Sequence, residues 1–380
     1  MHFEFIHSID QIPQSFWYSV KKTQDPFCNY AFLAALEQSG SLAVESGWQP
    51  FHLLAYQADT LVGMLPLYKK NHSYGEYVFD FAWADAYHRH GIHYYPKLVN
   101  AIPFTPVTGA RLLVSDSHDP ESLLVDMLAY VKQQLPLLAF SSIHCLFPSK
   151  RVSNSLTQQA MPQRLSVQFQ WYNKGYTSFD DFIQRFTARR RKMVRKERAK
   201  IAAQNINVVK HFGASLSQTE MDFFYQCYCQ TYLKRSGHPG YLNKAFFTQL
   251  LNTMGDNILL VIASKAETPI AGALYLYSED QLCGRYWGAI EEADALHFEC
   301  CYYQGIEFCI DNKLASFNPG TQGEHKILRG FEPTYCYSNH WLEDRPFQHA
   351  VERFIEQETP GIKAYKHNAE QLLPFKQPQG

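Results

Sequence analysis

The segment GTQGEHKILRGF (residues 320–331) gathers Glu324, His325, Lys326 and Arg329 between glycines. The glycines before Glu324 and after Arg329 predict a short helix of about one and a half turns, with Glu324 as its capping residue. His325 and Arg329 are four residues apart, and Lys326 and Arg329 are three apart, so we expect these cations to project together. They could hold a carboxylate, a phosphate or a developing oxyanion; the alternative is a capped surface turn.

A second candidate lies in LHFECCYYQ (residues 296–304), at the start of a predicted helix. His297 and Glu299 are two residues apart, so both can reach one substrate only from the terminal turn. The helix N-terminus would keep the imidazole neutral and able to accept a proton, which suits a general base for an amine nucleophile. We therefore expect the base to be His297, Glu299 or His325. The alternative is an N-cap in which Glu299 satisfies backbone donors.

A strongly basic segment, QRFTARRRKMVRKERAKIAAQ, occupies residues 184–204. From Arg185 to Lys200 there are nine Lys or Arg and one Glu, a local excess of +8 in a chain whose net charge is −1. This excess predicts a helix that binds a polyanion such as tRNA, a nucleotide-linked precursor or the diphosphate of a lipid carrier. The alternative is a solvated helix that joins two domains. The candidate polyanion-binding residues are Arg191, Lys192, Arg195 and Lys196.

The segment HSYGEYVFDFAWADAYHRHGIHYYP (72–96) is rich in aromatic and acidic residues. Glu76, Asp80 and Asp85 would form an acidic, aromatic-lined surface that stacks on a sugar ring or binds an amine. The alternative is a stabilising flap. The spacing of the histidines here is loosely that of metal ligands, but no carboxylate or Cys completes a ligand set, so we predict no metal site.

The chain contains an internal repeat. Residues 29–40 and 51–68 resemble residues 243–255 and 257–277: each copy begins N-x-A-F at helical spacing and continues through two strands joined by a polar turn. The later elements also follow in the same order in both halves. A duplication of one mixed α/β domain, offset by roughly 210 residues, explains this order better than a continuous sheet does.

This order of elements resembles the GNAT acyltransferase fold, and two tandem copies resemble the Fem-type aminoacyl transferases. More specifically, the chain resembles the bacterial predicted N-acyltransferase family of the peptidoglycan biosynthesis/recognition type. The segments that carry the resemblance are GWQPFHLL (47–54), residues 72–87, residues 94–113, GRYWG (284–288), LHFECCYYQGIEF (296–308) and GTQGEHKILRGFEP (320–333).

The resemblance implies an α/β fold with mixed sheets, built as two tandem GNAT-like domains. The first would span residues 1–165 with an insertion at 71–96. The second would span 166–360 and open with the basic helix 184–204, and 361–380 would form a tail. The implied reaction is transfer of an acyl or aminoacyl group to a small-molecule or peptide amine, by direct attack without a covalent enzyme intermediate.

The donor stays open between acyl-CoA and aminoacyl-tRNA. GNAT domains that use acetyl-CoA have a glycine-rich loop before a helix, whereas GAIEEADALHFEC (288–300) offers carboxylates that would repel a pyrophosphate. In the first half, PFTPVTGARLL (103–113) is closer to such a loop and includes Arg111. Residues expected to contact donor or substrate are therefore Arg111, Arg285, Trp287, Lys326 and Arg329, with Glu324 beside them. The alternative function is a non-catalytic binder of a peptidoglycan-type precursor or another polyanionic ligand.

The length of 380 residues exceeds what one hydrophobic core usually supports, which agrees with two domains. No run of about 18 apolar residues is present, and the first residues do not resemble a signal peptide. The nine cysteines are odd in number and contain no C-x-x-C pair, which predicts reduced thiols. We therefore expect a cytoplasmic protein without a metal, whose oligomeric state the sequence leaves open.

Overall fold

The computed structural model describes residues 1–20, 25–321 and 323–376. The chain divides into two compact units: Met1–Ser166 with Tyr335–Ala364, and Val167–Thr334 with Tyr365–Gly380. The predicted boundary after residue 165 lies one residue from this division. Residues 335–360, which the prediction assigned to the second domain, group instead with the first unit.

Groups of consecutive strands are interspersed with helices along the chain, as expected for mixed α/β units. They are β1 (His2–Ile6), β2 (Trp48–Pro50), β3 (His52–Gln57), β4 (Thr60–Leu65), β5 (Tyr68–Lys70), β6 (Lys97–Asn100), β7 (Leu113–Val114), β8 (Ser142–Leu146), β9 (Gln163–Tyr172), β10 (Ile206–Phe212), β11 (Ile258–Lys265), β12 (Thr268–Tyr277), β13 (Gln281–Ala289), β14 (Ser316–Asn318) and β15 (Glu332–Leu342).

The α-helices are α1 (Gln14–Ser19), α2 (Tyr30–Gln38), α3 (Phe81–Arg89), α4 (Pro120–Gln134), α5 (Lys150–Gln158), α6 (Phe179–Gln184), α7 (Ala188–Ala203), α8 (Gln218–Ser236), α9 (Lys244–Met254), α10 (Leu296–Phe298), α11 (Gln304–Asp311) and α12 (Arg345–Gln371). A π-helical turn, Glu299–Tyr303, joins α10 to α11, and Glu324–Arg329 form a 3₁₀ helix. Residues 361–371 therefore belong to α12 and not to the predicted tail.

In the first unit, β1, β3, β4 and β7 form one antiparallel sheet. A second group of strands runs in the order β2, β5, β6, β8 and β15, in which β6 and β8 are parallel. An apolar core forms around β3, β4, β8 and α4. The first unit is therefore a mixed-sheet domain, as predicted.

In the second unit, the strand order is β10, β11, β12, β13, β14 and β9. The pairs are antiparallel except β13 with β14, which are parallel from Gln281–Cys283 alongside Ser316–Asn318. β14 ends at Asn318, whereas β13 continues to Ala289, so the later part of β13 lacks β14 as a neighbour. The carboxyl ends of adjacent parallel strands are where open α/β sheets usually bind ligands.

The predicted repeat is visible in two matching helix starts. The side chain of Asn29 accepts a hydrogen bond from the backbone N–H of Phe32 at 3.0 Å, and Asn243 accepts one from Phe246 at 3.0 Å. The N-x-A-F pattern is therefore the N-cap of α2 and of α9. In each copy this helix leads to a pair of antiparallel strands. β3 pairs with β4, which contains Gly63, and β11 pairs with β12, which contains the corresponding Gly272.

Each unit takes a strand from the other half of the sequence. β9 ends the first repeat, yet its residues Trp171 and Tyr172 pair with β14 of the second unit. β15 ends the second repeat, yet its residues Ser338–Leu342 pair with β8 of the first unit. This exchange explains why residues 335–360 do not group with the second domain.

Candidate active site in the second unit

The helix after β13 is interrupted by a π-helical turn. α10 begins at Leu296, after Ala295 with φ of +67°, and the π turn Glu299–Tyr303 follows before α11. The Tyr275 hydroxyl donates a hydrogen bond to the Cys300 carbonyl in this turn. π turns inside helices occur frequently at functional sites. The predicted helix is thus present, with a local change of pitch next to His297.

His297 lies among aromatic rings and cations. Its ring centroid is 5.5 Å from that of Trp287, 5.3 Å from that of Tyr302 and 6.0 Å from that of His325. Burial, followed by the positive charges of His325, Lys326 and nearby arginines, lowers the pKa of His297 to about 3. In the described part of the chain its ring nitrogens have no hydrogen-bond partner. His297 is therefore a neutral imidazole with an unused lone pair.

His325 is the next ring in this cluster. Its Nε2 is 2.8 Å from the Tyr302 hydroxyl. Burial and the charges of Arg329 and Lys326 lower the pKa of His325. Gly323, with φ of +98°, precedes the 3₁₀ helix, and a Cβ there would lie 2.3 Å from the His325 ring. The position before the helix thus requires glycine if the His325 ring is to keep its place.

Lys326 is 2% exposed and binds backbone. Its Nζ donates to the carbonyls of Gly320 at 2.7 Å and Thr321 at 3.1 Å. The Gly320 N–H in turn donates to Asn318 Oδ1 at 2.9 Å. Burial lowers the pKa of Lys326 to about 7. Lys326 therefore ties the 3₁₀ helix to the loop that follows β14.

Arg329 is 4% exposed and makes an ion pair with Glu197 of α7. Arg329 Nη2 lies 2.6 Å from Glu197 Oε1, and Arg329 Nε donates to Glu197 Oε2 at 3.1 Å. Its guanidinium also lies over the Phe298 ring, 3.4 Å from the centroid. The short helix predicted for this segment is present, but His325, Lys326 and Arg329 each have their own protein partner.

Neither Glu324, the predicted cap, nor Glu299, a candidate base for which capping was the alternative, is the N-cap of a helix. The carboxylate of Glu299 accepts from Arg198 of α7 at 2.9 and 3.2 Å, and from Gln304 at 2.7 Å. Glu324 accepts from the Tyr365 hydroxyl at 2.8 Å, and the N-cap of its helix is Gly323. Glu299 therefore joins α7 to the π turn.

Arg285 and Trp287 lie on β13, and the Trp287 ring contacts that of His297. The pairing of β12 with β13 shifts register between Leu274 and Tyr275, so Arg285 is the extra residue of a β-bulge. Its guanidinium lies 5.2 Å from the Tyr286 ring centroid. Bulges are common beside active sites because they redirect side chains. The structure thus brings Trp287, His297 and His325 together.

The basic helix α7 has two different sides. Its inner side buries Val194 and Ile201 and carries Glu197 and Arg198, which bind the π turn and the 3₁₀ helix. Three further basic residues have partners: Arg191 donates to the Phe186 carbonyl, Arg195 pairs with Asp180 and Lys200 pairs with Asp294.

Four cations of α7 have no hydrogen-bonded or ion-paired side-chain partner among the residues that the structure describes. They are Arg189, Arg190, Lys192 and Lys196. Of the four predicted polyanion-binding residues, Lys192 and Lys196 therefore belong to this free group, whereas Arg191 and Arg195 have contacts within the second unit.

The predicted acidic surface of residues 72–96 does not form in the first unit. Glu76 and Asp80 are 4% and 3% exposed, and both pair with the buried Lys97. Tyr94 donates to Asp80 at 2.6 Å. The expectation of an exposed surface was wrong for these two residues, because a lysine on β6 draws their carboxylates inward.

The other first-unit candidates lie apart from this cluster. Asp85 is exposed on α3. Arg111 is 2% exposed and donates to the carbonyls of Val107, Ala110 and Leu146 at 2.6–2.7 Å, so it holds a turn together.

Sequence reasoning missed Lys97 and Glu197. Each had a signal: Lys97 is a charged residue in an apolar strand pattern, and Glu197 is the one acid within a run of nine bases.

The described residues contain neither a candidate membrane-spanning helix nor a cluster of metal-ligating side chains. No helix within residues 1–20, 25–321 and 323–376 is both long and apolar enough to cross a membrane. No group of three or more His, Cys, Asp or Glu side chains in the same ranges could hold a metal ion. The nine cysteines are free thiols.

Several solved structures are similar to the chain. FemX matches with a TM-score of 0.52 at 10% identity, over 92% of this chain and 100% of that chain. A conserved protein of unknown function from Bacteroides thetaiotaomicron VPI-5482 matches with a TM-score of 0.50 at 9% identity, over 89% and 99%. A tandem GNAT protein from the clavulanic acid biosynthesis pathway gives 0.46 at 10% identity, over 90% and 99%. At such identities the likeness concerns the fold alone.

A comparison with curated protein sequences found no match. The fold is mixed α/β with mixed sheets and two compact units, as the sequence predicted. The model of the FemAB-like family, described as peptidoglycan biosynthesis/recognition, matches residues 8–377, and the chain therefore belongs to that family.

Proposed function

We propose that the protein is an N-acyltransferase that moves an acyl or aminoacyl group onto an amine. Family membership and the fold support an acyl- or aminoacyltransferase as a class. The second unit supplies the features from which we build the reaction: a neutral histidine cluster, an interrupted helix and the end of a parallel strand pair. We place the reaction centre beside His297.

The observation that carries this proposal is the state of His297. Its imidazole is neutral, because burial and neighbouring cations lower its pKa to about 3. His297 is half-buried, and its ring nitrogens have no hydrogen-bond partner within the described residues. A neutral imidazole without a partner is suited to accept a hydrogen bond, and then a proton, from an attacking amine.

The proposed chemistry has two bond changes. The amine nitrogen attacks the acyl carbon, and its new N–C bond gives an ammonium-like nitrogen that is far more acidic than the free amine. His297, or His325 beside it, accepts that proton even though its basicity is low. The bond from the acyl carbon to the leaving sulfur or oxygen then breaks, and the histidine passes the proton to that leaving atom, which returns the imidazole to its neutral state. Trp287 and Arg285 would contact the donor.

Lys326, Arg329 and Glu299 have supporting roles in this proposal. Lys326 holds the loop after β14 through two backbone carbonyls, and Arg329 is bound to Glu197. Glu299 is bound to Arg198. We assign these residues to positioning, because their charged groups already have protein partners.

Of the two candidate donors, we favour aminoacyl-tRNA. The turn between β13 and α10 lacks a glycine cluster, and its acids make ion pairs with lysines: Glu291 with Lys265, Glu292 with Lys234 and Asp294 with Lys200. These pairs balance the charge of the turn, so the argument against acyl-CoA is the missing glycine cluster, which leaves no loop of backbone N–H groups to hold a pyrophosphate. The free cations of α7 suit the phosphates of a nucleic acid.

The test is a turnover assay with both donors. Purified protein is incubated with a broad panel of amines, and with either acyl-CoA or aminoacyl-tRNA, while thiol release or loss of aminoacyl-tRNA is followed. We expect turnover with aminoacyl-tRNA. His297→Gln should lower kcat by about 100-fold, the usual contribution of a proton acceptor. His367→Gln, an exposed histidine of α12, is the matched control and should keep full activity.

The second candidate function is a non-catalytic binder of a peptidoglycan-type precursor or another polyanionic ligand. The observation that favours it is the absence of a glycine-rich pyrophosphate loop from the sequence after β13. If neither donor is consumed with any amine while a cell-wall precursor still binds, this second function replaces the first.

The polyanion part of the proposal has its own test. Binding of tRNA to the free cations of α7 should weaken steeply with salt, with log K falling by about 0.7–0.9 per phosphate contact for each unit of log salt. Lys192→Gln/Lys196→Gln should make this dependence shallower, whereas Lys313→Gln, an exposed lysine outside α7, should not. A flat salt dependence of the unaltered protein would exclude a polyanion site on α7.

A further inference from the structure

We infer that Glu197 is a positioning residue of the site around His297 and His325, which deepens the proposed function and rests on it. Glu197 is the one carboxylate in the basic run from Arg185 to Lys200. It faces inward from α7, whereas Lys192 and Lys196 on the same helix are exposed. The helix that carries the free cations therefore also carries the group that orders the site.

Glu197 binds Arg329 through both of its oxygens. Oε1 lies 2.6 Å from Arg329 Nη2, and Oε2 accepts from Arg329 Nε at 3.1 Å. The Tyr303 hydroxyl, from the π turn, donates to Glu197 Oε2 and accepts from Arg329 Nε at 3.1 Å. The side chains of Arg329 and Glu197 are 5% and 14% exposed. Bidentate pairs of this kind fix orientation as well as contributing energy.

The orientation of Arg329 passes to His325 by two contacts. Arg329 Nη1 donates to the His325 carbonyl at 2.7 Å, which fixes the backbone of the 3₁₀ helix at His325. The guanidinium also covers the Phe298 ring, whose centroid is 5.6 Å from that of His325. A change at Glu197 should therefore alter the position of the His325 imidazole.

The charges around His325 also couple it to Glu197. The groups that act on His325 are Arg329 and Lys326 from its own helix, and His297 and Tyr302 from the neighbouring helix. Within the described residues, Glu197 is the one carboxylate bonded to any of them. If Glu197 lost its negative charge, His325 would lie beside two cations, Arg329 and Lys326, neither of which would be bonded to a carboxylate.

The first test needs no substrate. His325 is followed by NMR of ¹³C-labelled histidine across pH in the whole chain, together with the Arg329 Nε–H signal. Glu197→Gln keeps the shape of the side chain but removes its charge, so we expect the pKa of His325 to fall by about half a unit and the Arg329 Nε–H to exchange faster. Ala199→Gln, at an exposed position of the same helix, should change neither.

Two further variants keep the result decisive. Glu197→Asp keeps the charge but shortens the side chain, so the Arg329 signal should exchange faster with a smaller change at His325. Tyr303→Phe keeps Glu197 and should leave the pKa of His325 nearly unchanged. If Glu197→Gln folds and leaves both His325 and Arg329 as they were, the positioning role is overturned. If that variant does not fold, an unchanged Arg329 signal in Glu197→Asp overturns it.

The second test separates this inference from the proposed function. With a working donor, Glu197→Gln should lower kcat about tenfold at unchanged KM, and Glu197→Asp should restore part of the loss. Absence of turnover in the unaltered protein would count against the proposed function, while the NMR shifts would still establish the coupling of Glu197 to His325. Normal kcat in Glu197→Gln would overturn the positioning role.

Discussion

Two buried lysines show how partners decide the state of the same side chain. Lys97 in the first unit is 0% exposed and bonds two carboxylates; burial opposes its charge, but Glu76 and Asp80 raise its pKa above the ordinary value. Lys326 in the second unit is 2% exposed and bonds two backbone carbonyls, and burial lowers its pKa to about 7. A carbonyl offers a dipole where a carboxylate offers a full charge, so it cannot offset the same desolvation.

Replacing Lys97 should destabilise the first unit strongly. Lys97→Met leaves the carboxylates of Glu76 and Asp80 buried without their counter-charge, so we expect the free energy of unfolding in urea to fall by about 3–5 kcal/mol. Adding Glu76→Gln and Asp80→Asn to Lys97→Met removes those charges and should recover part of the loss. If Lys97→Met alone lowered the free energy of unfolding by less than about 1 kcal/mol, Lys97 would not be the essential partner of the two carboxylates.

Lys326 should make stability depend on pH in a defined window. Its folded pKa, about 7, lies below its unfolded value, so between these two values the unfolded state binds more protons and stability rises with pH. Lys326→Met lacks this contribution. We therefore subtract the free energy of unfolding of Lys326→Met from that of the unaltered protein. This difference should be constant below about pH 7 and should shift above it in favour of the unaltered protein, by at most about 1.4 kcal/mol per pH unit.

The measurement is a set of urea titrations from pH 6 to pH 9.5. Lys363→Met, at an exposed position of α12, is the control and should give a difference that does not vary with pH. A difference between the unaltered protein and Lys326→Met that is equally constant would show that Lys326 titrates near its ordinary pKa in the folded protein.

At the residue scale, sequence spacing foretold which side chains come together but not what they bond. His297 and His325 were predicted as candidates from separate segments, and their ring centroids are 6.0 Å apart. The ion pairs of Arg329 with Glu197 and of Glu299 with Arg198 join residues more than 100 positions apart. No local pattern specifies such partners, because they depend on how α7 packs.

At the scale of elements, the helix starts were the most predictable features. Asn29 and Asn243 cap α2 and α9 with the same bond, because the side-chain oxygen of an extended N-cap residue accepts from the backbone N–H three residues later. The π turn at Glu299–Tyr303 was not predicted. It depends on packing, including the bond from the Tyr275 hydroxyl to the Cys300 carbonyl, and LHFECCYYQ reads as a regular helix.

The two caps should contribute equally to stability. Asn29→Ala and Asn243→Ala each remove an acceptor for the N–H of a phenylalanine, and we expect each to lower the free energy of unfolding by about 1 kcal/mol. Asn29→Asp and Asn243→Asp keep the acceptor and should lose less. Urea unfolding of the four variants is the measurement. Alanine variants as stable as the aspartate variants would show that the matching patterns do not act as caps.

At the scale of the whole molecule, the sequence revealed the repeat but not the exchange of strands. The order of elements is the same in both halves, so the duplication could be predicted. Which sheet a final strand joins depends on its pairing with strands that are distant in the sequence, β14 for β9 and β8 for β15, and no local pattern specifies that pairing. The structure divides after Ser166, and residues 335–360 group with the first unit rather than with the second domain to which the sequence assigned them.

The exchange predicts that the first half of the sequence does not fold alone. A chain of residues 1–173 contains the first repeat but lacks β15, so β8 loses the partner that pairs from Leu146↔Ser338 to Ser142↔Leu342. It also lacks Asn339, which is 0% exposed and donates to the carbonyls of Ser153 and Met161. Without β15, strand β8 still pairs with β6 on one side but becomes an edge strand, and an exposed edge beside an open core favours association. We expect this chain to aggregate and to unfold without a cooperative transition.

A second chain gives the matched comparison. Residues 1–166 joined by a Gly/Ser linker to residues 335–364 contain every segment of the first unit, including β15. We expect this chain to be monomeric on size-exclusion chromatography and to unfold cooperatively in urea. The two chains share almost all of the first repeat, so a difference between them isolates the returning segment. If residues 1–173 fold as well as the joined chain, β15 is dispensable to the first unit. If instead only the joined chain folds, a strand from the end of the second repeat is what completes the first domain.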